Sequence, residues 1–442
     1  MAQRIQGCED LFGEAMEAWT YAQHTAHEIF DTYAFDMIET PALEQVATFV
    51  HGIGESTDVV RKEMFRVYSG ALLDTLLSTG SEESLRPRQR MALRPEGTAG
   101  VVRAVVEHNL CAPGTADYKV WYAEAMFRGE RPQKGRLRQF HQIGCEWLGA
   151  EDPCADAEVI MLLMGFYERM GFDPSDLVLR LNSMGDSACR PEYRELVRNF
   201  INDHADEMCE DCLERARINP LRAFDCKNES CHQVMQACPL AKDHLCDACK
   251  HHYEAVKRTL DAQGVSYVED PTLVRGLDYY TRTVFEVECP RSAVGAIGGG
   301  GRYDGLVELE GGKPTSGLGW ALGFERMILA LKDLGKTPWI RTSFSVYVAY
   351  ASEHERLYAA RACQLLRKHG IRTYSNYQGR SLKSQFKQAD KLGVALCVVV
   401  GEEEARREEV TLRDMSSHEQ TTLPLSELAS AVAKAKAEKA QA

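Results

Sequence analysis

Long apolar runs are absent from this sequence. No segment approaches the roughly 20 consecutive apolar residues that a membrane-spanning helix needs. The opening residues, MAQRIQGCEDLF, contain no apolar core of the kind found in export signals. We therefore expect no membrane association and a protein that stays in the cytoplasm.

An excess of positive charge is also missing, since 52 Lys and Arg stand against 65 Asp and Glu, for a net charge of −13. This balance argues mildly against a nucleic-acid partner, but binding RNA requires only local basic surfaces on an acidic body. The 442 residues exceed what one hydrophobic core usually supports, so two or three domains are expected. In a chain of this length without an export signal, the 15 cysteines are expected as reduced thiols or metal ligands.

Positive charge is concentrated in one segment, residues 127–146, which reads FRGERPQKGRLRQFHQIGCE. A basic run is usually a solvated surface. Here, however, apolar and β-prone segments at 119–128 and 138–149 flank the cationic residues, which predicts an antiparallel hairpin with a long basic loop. Its arginines suit bidentate phosphate contacts. Such a hairpin can hold a polyphosphate at its base and a nucleic acid strand at its tip.

These residues resemble the second signature motif of the class II aminoacyl-tRNA synthetases, in the form found in histidyl-tRNA synthetases. Three further segments are similar to that family: LRPEGTA at 93–99, LVRGLDYYTRT at 273–283 and ALGFER at 321–326. The segments stand in the family's order. The resemblance extends from about residue 4 to about residue 435, essentially the whole chain.

The resemblance implies an α+β protein with a class II antiparallel-sheet catalytic domain, a helical insertion and a C-terminal α/β anticodon-binding domain. Changes in the sequence pattern place the catalytic domain at 1–187 and 259–335, the insertion at 188–258 and the anticodon-binding domain at 343–442. The segment that begins near Pro41 stands where class II enzymes carry their first motif, a helix and strand of the dimer interface. A homodimer is therefore implied.

Several local patterns can be interpreted without the resemblance. Apolar residues every three or four positions predict a helix over 11–30. Four consecutive glycines within 295–305 indicate either close approach of the backbone to a ligand or a tight connection between strands. Strand patterns predict an α/β unit with a mainly parallel sheet in the C-terminal region, at 344–348, 371–374, 396–400 and 409–412, alternating with helices at 353–369, 381–392 and 425–438.

The chemistry implied is the activation of an amino acid, in which a carboxylate attacks the α-phosphate of ATP. Fixed cations must stabilise the growing charge. The resemblance places Arg128 on the α-phosphate, Arg326 on the γ-phosphate and Glu130 near the adenine. Arg275 is implied to contact both the amino-acid carboxylate and the α-phosphate, and ATP is expected with Mg²⁺. Taken alone, Arg128 and Arg326 are each explained more simply by a surface salt bridge.

Selection of L-histidine requires partners for one ring donor and one ring acceptor. The resemblance assigns Glu146 and Tyr280 to the ring nitrogens, with Tyr279 beside them. Glu96, Thr98 and Gln142 are implied to hold the α-ammonium group. Simpler alternatives are a helix N-terminal carboxylate for Glu96 and a core tyrosine for Tyr279.

The hairpin tip is implied to contact the acceptor end of histidine tRNA through Gln133, Arg136 and Arg138. Gln133 and Arg138 match family positions that contact the extra 5′ nucleotide of this tRNA. A cationic tip could also hold phosphates without reading bases.

Cysteines cluster in the predicted insertion, where Cys209-x-x-Cys212 and Cys246-x-x-Cys249 form two pairs separated by 33 residues. Four thiolates from two such pairs can bind structural Zn²⁺, although this spacing is longer than is usual for paired zinc motifs. Uncoordinated reduced thiols are an equal alternative.

The implied function is ATP-dependent activation of L-histidine and its transfer to the 3′ end of histidine tRNA. The alternative is a non-catalytic, synthetase-like regulatory subunit of histidine biosynthesis. Such proteins lack the C-terminal domain and lose catalytic arginines, whereas this chain keeps both. Two departures from the family pattern concern the geometry of the first hairpin strand: Glu124-Ala125 replace a common Gly-Pro pair, and residue 129 is glycine.

Overall fold

The computed structural model describes residues 2–55, 57–111, 117–339 and 344–441. The chain divides into two compact units, Met1–Ile340 and Arg341–Ala442. The joint predicted between 335 and 343 includes residues 340–343, which lie outside the described residues. Within the described ranges, no helix is long and apolar enough to cross a bilayer.

Strands of the larger unit form one eight-stranded sheet and one three-stranded sheet. In chain order they are β1 (Asp36–Met37), β2 (Leu43–Gln45), β3 (Arg66–Val67), β4 (Met91–Leu93), β5 (Tyr118–Phe127), β6 (Gln139–Leu148), β7 (Val178–Ser183), β8 (Val268–Glu269), β9 (Thr281–Cys289), β10 (Gly295–Arg302) and β11 (Gly317–Gly323). The large sheet has the order β1-β5-β6-β11-β10-β9-β7-β8, and the small sheet has the order β2-β4-β3. All pairs in the large sheet are antiparallel except the two at its edges, β1 with β5 and β7 with β8.

Helices of the larger unit cover the sheet and fill the connections. They are α1 (Glu14–Thr32), α2 (Val46–Ile53), α3 (Gly70–Thr79), α4 (Thr98–His108), α5 (Pro153–Arg169), α6 (Arg190–Asp203), α7 (Glu210–Ile218), α8 (Glu229–Met235), α9 (Asp247–Ala262), α10 (Leu306–Leu309) and α11 (Phe324–Asp333). The predicted N-terminal helix is confirmed as α1, which buries Trp19, Ala22, Ala26 and Phe30. Helices α1, α5 and α9 pack with strands of the large sheet in the main core, where Trp320 donates its indole N–H to the Val159 carbonyl at 3.0 Å.

The hairpin predicted around the basic run is confirmed as β5 and β6. Ten residue pairs run in register from Tyr118 opposite Leu148 to Phe127 opposite Gln139. Glu124 keeps its place in the β5–β6 pairing, opposite Gln142. Its buried carboxylate is stabilised there by two nearby partners. It lies 2.7 Å from an Arg94 guanidinium nitrogen and accepts the Thr40 amide at 2.6 Å.

The region proposed as an insertion is helical, with α6–α9 between β7 and β8. It has its own small apolar cluster, which includes Val197, Ile201 and Met235. A buried ion pair between the sheet and α5 also contacts this region. Arg302 at the end of β10 pairs with Asp156 in α5, and Asp156 also lies 3.3 Å from His252 in α9.

The smaller unit is an α/β sandwich. Its strands are β12 (Ser345–Tyr350), β13 (Arg372–Ser375), β14 (Leu396–Val400), β15 (Glu409–Asp414) and β16 (Gln420–Pro424), and its helices are α12 (Arg356–Lys368), α13 (Leu382–Lys391), α14 (Glu402–Arg406) and α15 (Leu428–Gln441). The sheet order is β13-β12-β14-β15-β16; the first three strands are parallel, and β15 and β16 are antiparallel to their neighbours. The sequence interpretation missed β16 because this edge strand is largely exposed and lacks an apolar alternation.

Candidate active site

A cavity of about 370 Å³ opens on one face of the large sheet. Its walls come from β6, β9, β10 and β11, from the start of α4 and α11, and from the loops between β5 and β6 and between β8 and β9. It brings together most of the side chains that the sequence singled out, namely Glu96, Thr98, Arg128, Glu130, Arg136, Gln142, Glu146, Arg275, Tyr279, Tyr280 and Arg326.

Glycines of β10 form part of the cavity wall. This strand pairs with β9 on one side and β11 on the other, so the glycine run is a central strand of the sheet. A Cβ atom at Gly299 would lie 2.5 Å from the Phe285 carbonyl oxygen and 2.8 Å from an Arg275 guanidinium nitrogen. Only a residue without a side chain leaves room for that guanidinium.

Two of the predicted phosphate ligands are anchored by backbone carbonyls. Arg128, which directly follows β5, donates its Nε to the Pro95 carbonyl at 2.9 Å, and its guanidinium lies over the Phe140 ring. Arg326, in the first turn of α11, donates its Nε to the Ala296 carbonyl at 2.7 Å and a second nitrogen to the Val294 carbonyl. Backbone carbonyls therefore hold each guanidinium in place, and both arginines line the cavity.

Arg275 is paired with Glu286 of β9, and its guanidinium lies 5.8 Å from the centre of the Tyr280 ring. Its Nε is buried and has no hydrogen-bond partner among the described residues. Burial raises the pKa of Glu286, while Arg275 opposes this shift. The sequence interpretation did not find Glu286, because in the alternating pattern of β9 it resembles any solvent-facing polar residue.

Glu146 lines the cavity and is buried, with 1% of the residue exposed. It accepts hydrogen bonds from the Thr98 hydroxyl at 2.7 Å, from Tyr303 at 2.5 Å and from Tyr122 at 3.4 Å. Burial raises the pKa of Glu146 to about 8, although the Tyr303 and Thr98 hydroxyls favour the charged form. Neither Tyr122 nor Tyr303 was predicted; the only available signal for Tyr303 was its position just after the glycine run.

Two further polar residues, Glu96 and Gln142, line the cavity. Glu96 accepts the backbone amides of Thr98 and Ala99, both at 2.9 Å, so it also serves as the helix N-terminal carboxylate that was its simpler interpretation. Burial raises its pKa. The side-chain amide oxygen of Gln142, Oε1, is buried without a hydrogen-bond partner among the described residues. An acceptor in this state suits a cationic donor from a ligand.

The two tyrosines assigned to histidine have different surroundings. Tyr279 donates to the Thr98 hydroxyl at 3.4 Å and packs edge-on against Tyr303. Tyr280 lies beneath the Arg275 guanidinium. Both line the cavity, but Tyr279 and Tyr303, rather than Tyr280, are linked to Thr98 and Glu146.

Residues of the hairpin loop separate into two groups. Arg136 turns back into the cavity and lies 3.3 Å from the Glu130 carboxylate. Gln133 is exposed, and its backbone pairs with that of Arg136 in a turn at the tip. Arg138 contacts the N-terminal segment, where its backbone amide donates to the Gly7 carbonyl at 2.7 Å. Gln133 and that segment line a second hollow of about 840 Å³.

The four cysteines proposed as one zinc site are not brought together. Cys209 and Cys212 lie with Cys226 and Cys231, whereas Cys246 and Cys249 lie with Cys189 and Asp186. The pairs are separated because one begins α7, which packs on α6, and the other begins α9, which packs on α5. We therefore correct the predicted set of four to two separate clusters.

An antiparallel sheet whose cavity gathers arginines from the basic hairpin and from a late helix defines a class II aminoacyl-tRNA synthetase. The family model for histidyl-tRNA synthetase matches residues 7–327, and a model for an anticodon binding domain matches residues 345–435. The chain therefore belongs to the histidyl-tRNA synthetase family. The resemblance noted in the sequence and the predicted fold class are confirmed.

Known relatives match nearly the whole chain. Histidine--tRNA ligase of Syntrophomonas wolfei is 41% identical over 97% of this chain and 97% of its own length. The corresponding protein of Moorella thermoacetica is 42% identical over 96% of each chain. Among solved structures, apo histidyl-tRNA synthetase of S. aureus superposes with a TM-score of 0.79 at 32% identity, covering 98% of this chain and all of the other.

The raised pKa of Glu146 predicts how stability changes with pH. Between the ordinary carboxyl pKa of 4.5 and about 8, the native protein holds a proton that the unfolded chain has released. Its free energy of unfolding should therefore decrease as pH rises through this range. Glu146→Gln removes that proton uptake, so the variant should lose less stability between about pH 5 and pH 8.

Urea unfolding followed by tryptophan fluorescence measures this difference, since all five tryptophans lie in the larger unit. Glu151→Gln, an exposed glutamate just beyond β6, is the control and should keep the pH dependence of the unmodified protein. If Glu146→Gln and the unmodified protein showed the same dependence, Glu146 would be ionised in the native state.

Proposed function

We propose that this protein activates L-histidine with ATP and transfers it to the 3′ end of histidine tRNA. In the first step a histidine carboxylate oxygen bonds to the α-phosphorus, and the bond to the β-phosphate breaks, releasing pyrophosphate. In the second step a hydroxyl of the tRNA's terminal ribose attacks the carbonyl carbon, and AMP leaves. The observation that carries the proposal is that Arg128, Arg275 and Arg326, from distant parts of the chain, line the same cavity as Glu146.

Arg128 and Arg326 are suited to the nucleotide because each is fixed by a carbonyl before a ligand arrives. Guanidinium groups positioned in advance stabilise developing phosphate charge without reorganisation, each contributing about 3 to 4 kcal/mol by analogy with an oxyanion donor. We assign Arg128 to the α-phosphate and Arg326 to the γ-phosphate. Glu130, held by Arg136 at the edge of the cavity, is assigned to the adenine, and the nucleotide substrate is the magnesium complex of ATP.

Arg275 is assigned to the histidine carboxylate and the α-phosphate, the two groups that react. Its pairing with Glu286 holds the guanidinium against β10 in a buried place where an unpaired cation would be costly. The free Nε gives it a further donor.

The slot around Glu146 is assigned to the imidazole. The Glu146 carboxyl and the Tyr279, Tyr280 and Tyr303 rings form a wall that is polar at the carboxyl and aromatic around it. Sites built to pair a polar ring reject analogues without the group by about 10⁴ to 10⁵. At the other end Gln142, with Glu96 and Thr98, is assigned to the α-ammonium group, since the Gln142 carbonyl needs a donor.

The protein's RNA partner is proposed to contact both units. Exposed Gln133 at the tip and half-buried Arg138, beside the N-terminal segment, are assigned to the acceptor end of histidine tRNA. The unit from residue 345 to residue 435 is assigned to the anticodon, in keeping with the family model that it matches. Because charging of tRNA takes place where ribosomes work, we propose a cytoplasmic location.

We further propose a homodimer. The segment assigned to the first class II motif folds as β2 and α2, which follow the edge strand β1 in the chain. It leaves Met37 and Leu43 exposed, at 55% and 43%. A second copy would cover these apolar side chains. A molar mass in solution equal to one chain, measured by light scattering at micromolar concentration, would disprove this.

Arg275→Ala should reduce histidine-dependent exchange of pyrophosphate into ATP by about 10²-fold or more, because it removes a donor to the reacting groups. Arg169→Ala, an exposed arginine on α5, should leave the rate unchanged. If the unmodified protein bound histidine but supported no exchange, it would instead be a regulatory subunit of histidine biosynthesis.

Gln133→Ala combined with Arg138→Ala should raise the KM for tRNA in aminoacylation by about tenfold, as expected for lost acceptor contacts. Pyrophosphate exchange without tRNA should be unaffected, because neither residue lines the cavity. Lys313→Ala, an exposed cation elsewhere on the larger unit, separates specific contacts from loss of charge. An equal rise in both variants would mean that the tip does not contact the tRNA specifically.

A further inference from the structure

Two compact groups of metal-ligating side chains lie outside the active site. The first, here the tetrathiolate cluster, consists of Cys209, Cys212, Cys226 and Cys231. The second, here the aspartate cluster, consists of Asp186, Cys189, Cys246 and Cys249. Within each group the four ligand atoms all lie within 4.8 Å of one another.

Sulfur separations in both clusters agree with a shared zinc ion. A tetrahedral site with Zn–S bonds of about 2.3 Å places its sulfurs about 3.8 Å apart. The Cys209 and Cys226 sulfurs are 3.9 Å apart, and so are those of Cys189 and Cys249. A disulfide would require about 2.05 Å. The spacing therefore fits sulfurs around one central ion.

The oxygen ligand of the aspartate cluster fits equally well. Oδ1 of Asp186 lies 3.7 Å from the Cys189 sulfur and 3.9 Å from the Cys246 sulfur. Carboxylate oxygens bind zinc at about 2.0 to 2.2 Å, so edges somewhat shorter than those between sulfurs are expected. One carboxylate and three thiolates complete four ligands.

Backbone amides are directed at sulfurs of the tetrathiolate cluster. Cys209 and Cys246 each occupy the N-cap position, before α7 and α9 respectively. The Cys209 amide donates to the Cys231 sulfur at 3.1 Å, and the Asn228 amide donates to the Cys226 sulfur at 3.4 Å. Zinc binds thiolates rather than thiols, so this arrangement suits the metal.

We propose that the helical region between β7 and β8 holds two structural zinc ions, one in the tetrathiolate cluster and one in the aspartate cluster. The first connects α7 to the loop and helix that follow it. The second connects the turn after β7 to the start of α9. Short helices around a small apolar cluster gain folding free energy from such cross-links.

The aspartate cluster is also connected to the loop that carries the catalytic arginine. The second carboxylate oxygen of Asp186 accepts a hydrogen bond from Arg282 at 3.2 Å, and the Arg282 backbone pairs with Met184 and Gly185. Arg190, which follows Cys189, donates to the Tyr280 carbonyl. The ion in this cluster therefore positions the end of the loop that contains Arg275 and Tyr280. This positioning role rests on the proposed function, whereas the metal sites do not.

Metal analysis of the full-length protein, purified without an affinity tag and dialysed against a weak chelator, tests the two sites directly. We expect two zinc ions per chain, one for each cluster, when the zinc content is measured by inductively coupled plasma mass spectrometry. Cys231→Ser and Cys249→Ser should each retain one ion, and the double variant none. Cys238→Ser, an equally buried cysteine of the same region outside both clusters, should retain two.

No bound zinc, or unchanged zinc in both single variants, would overturn the proposal, and one ion per chain would overturn the two-site form of it. If a variant fails to fold, the unmodified protein is instead stripped of metal and reconstituted with Co²⁺. Thiolate-to-cobalt charge transfer with the visible bands of tetrahedral cobalt, saturating at two equivalents, supports the proposal. A spectrum of octahedral cobalt with oxygen ligands overturns it.

The positioning role is tested separately by the kinetics of pyrophosphate exchange. Loss of the aspartate-cluster ion in Cys249→Ser should raise the KM for histidine several-fold more than loss of the other ion in Cys231→Ser. Equal KM values in the two variants would remove the positioning role but leave the metal stoichiometry intact. Absence of exchange in the unmodified protein would refute the proposed function and would not affect the metal count.

Discussion

Close approach of strands at the glycine-rich strand β10 is the constraint on which the active site depends. Gly299 lies where a Cβ atom would meet both the Phe285 carbonyl oxygen and the Arg275 guanidinium, so any other residue would displace the arginine or separate the strands. The backbone of β10 therefore forms the cavity wall itself. Arg326 depends on the same strand, because its guanidinium donates to the carbonyls of Val294 and Ala296.

The site gathers charge in a buried place and compensates it locally. Arg275 is paired with Glu286, Arg128 and Arg326 are held by carbonyls, and Glu146 accepts three hydroxyls. Because these partners belong to the protein, the cations are oriented before any ligand binds. Two buried polar atoms of cavity-lining residues, the side-chain carbonyl oxygen of Gln142 and Arg275 Nε, have no partner among the described residues and mark where ligand atoms are expected.

The helical region between β7 and β8 is connected to this site rather than merely appended to it. Arg222 donates to the Arg275 carbonyl at 3.2 Å, and Asn219 donates to the Asp278 carboxylate at 2.6 Å. On the opposite side, His252 of α9 contacts the buried pair of Asp156 and Arg302. This region therefore contacts the loop between β8 and β9 that carries Arg275 directly.

The sequence by itself determined the family, the β5–β6 hairpin and most of the charged and polar residues of the cavity, because signature motifs and strand alternation are local patterns. Tertiary structure alone decided the rest. Glu286, Tyr122 and Tyr303 join the site through strand pairing and packing across distant segments, and apart from the position of Tyr303 after the glycine run no local pattern marks them. The packing of α7 and α9 also decided how the cysteines are grouped. Both pairs have the same C-x-x-C spacing, so the sequence could not show which further ligands each pair meets. That depends on where each helix begins in space.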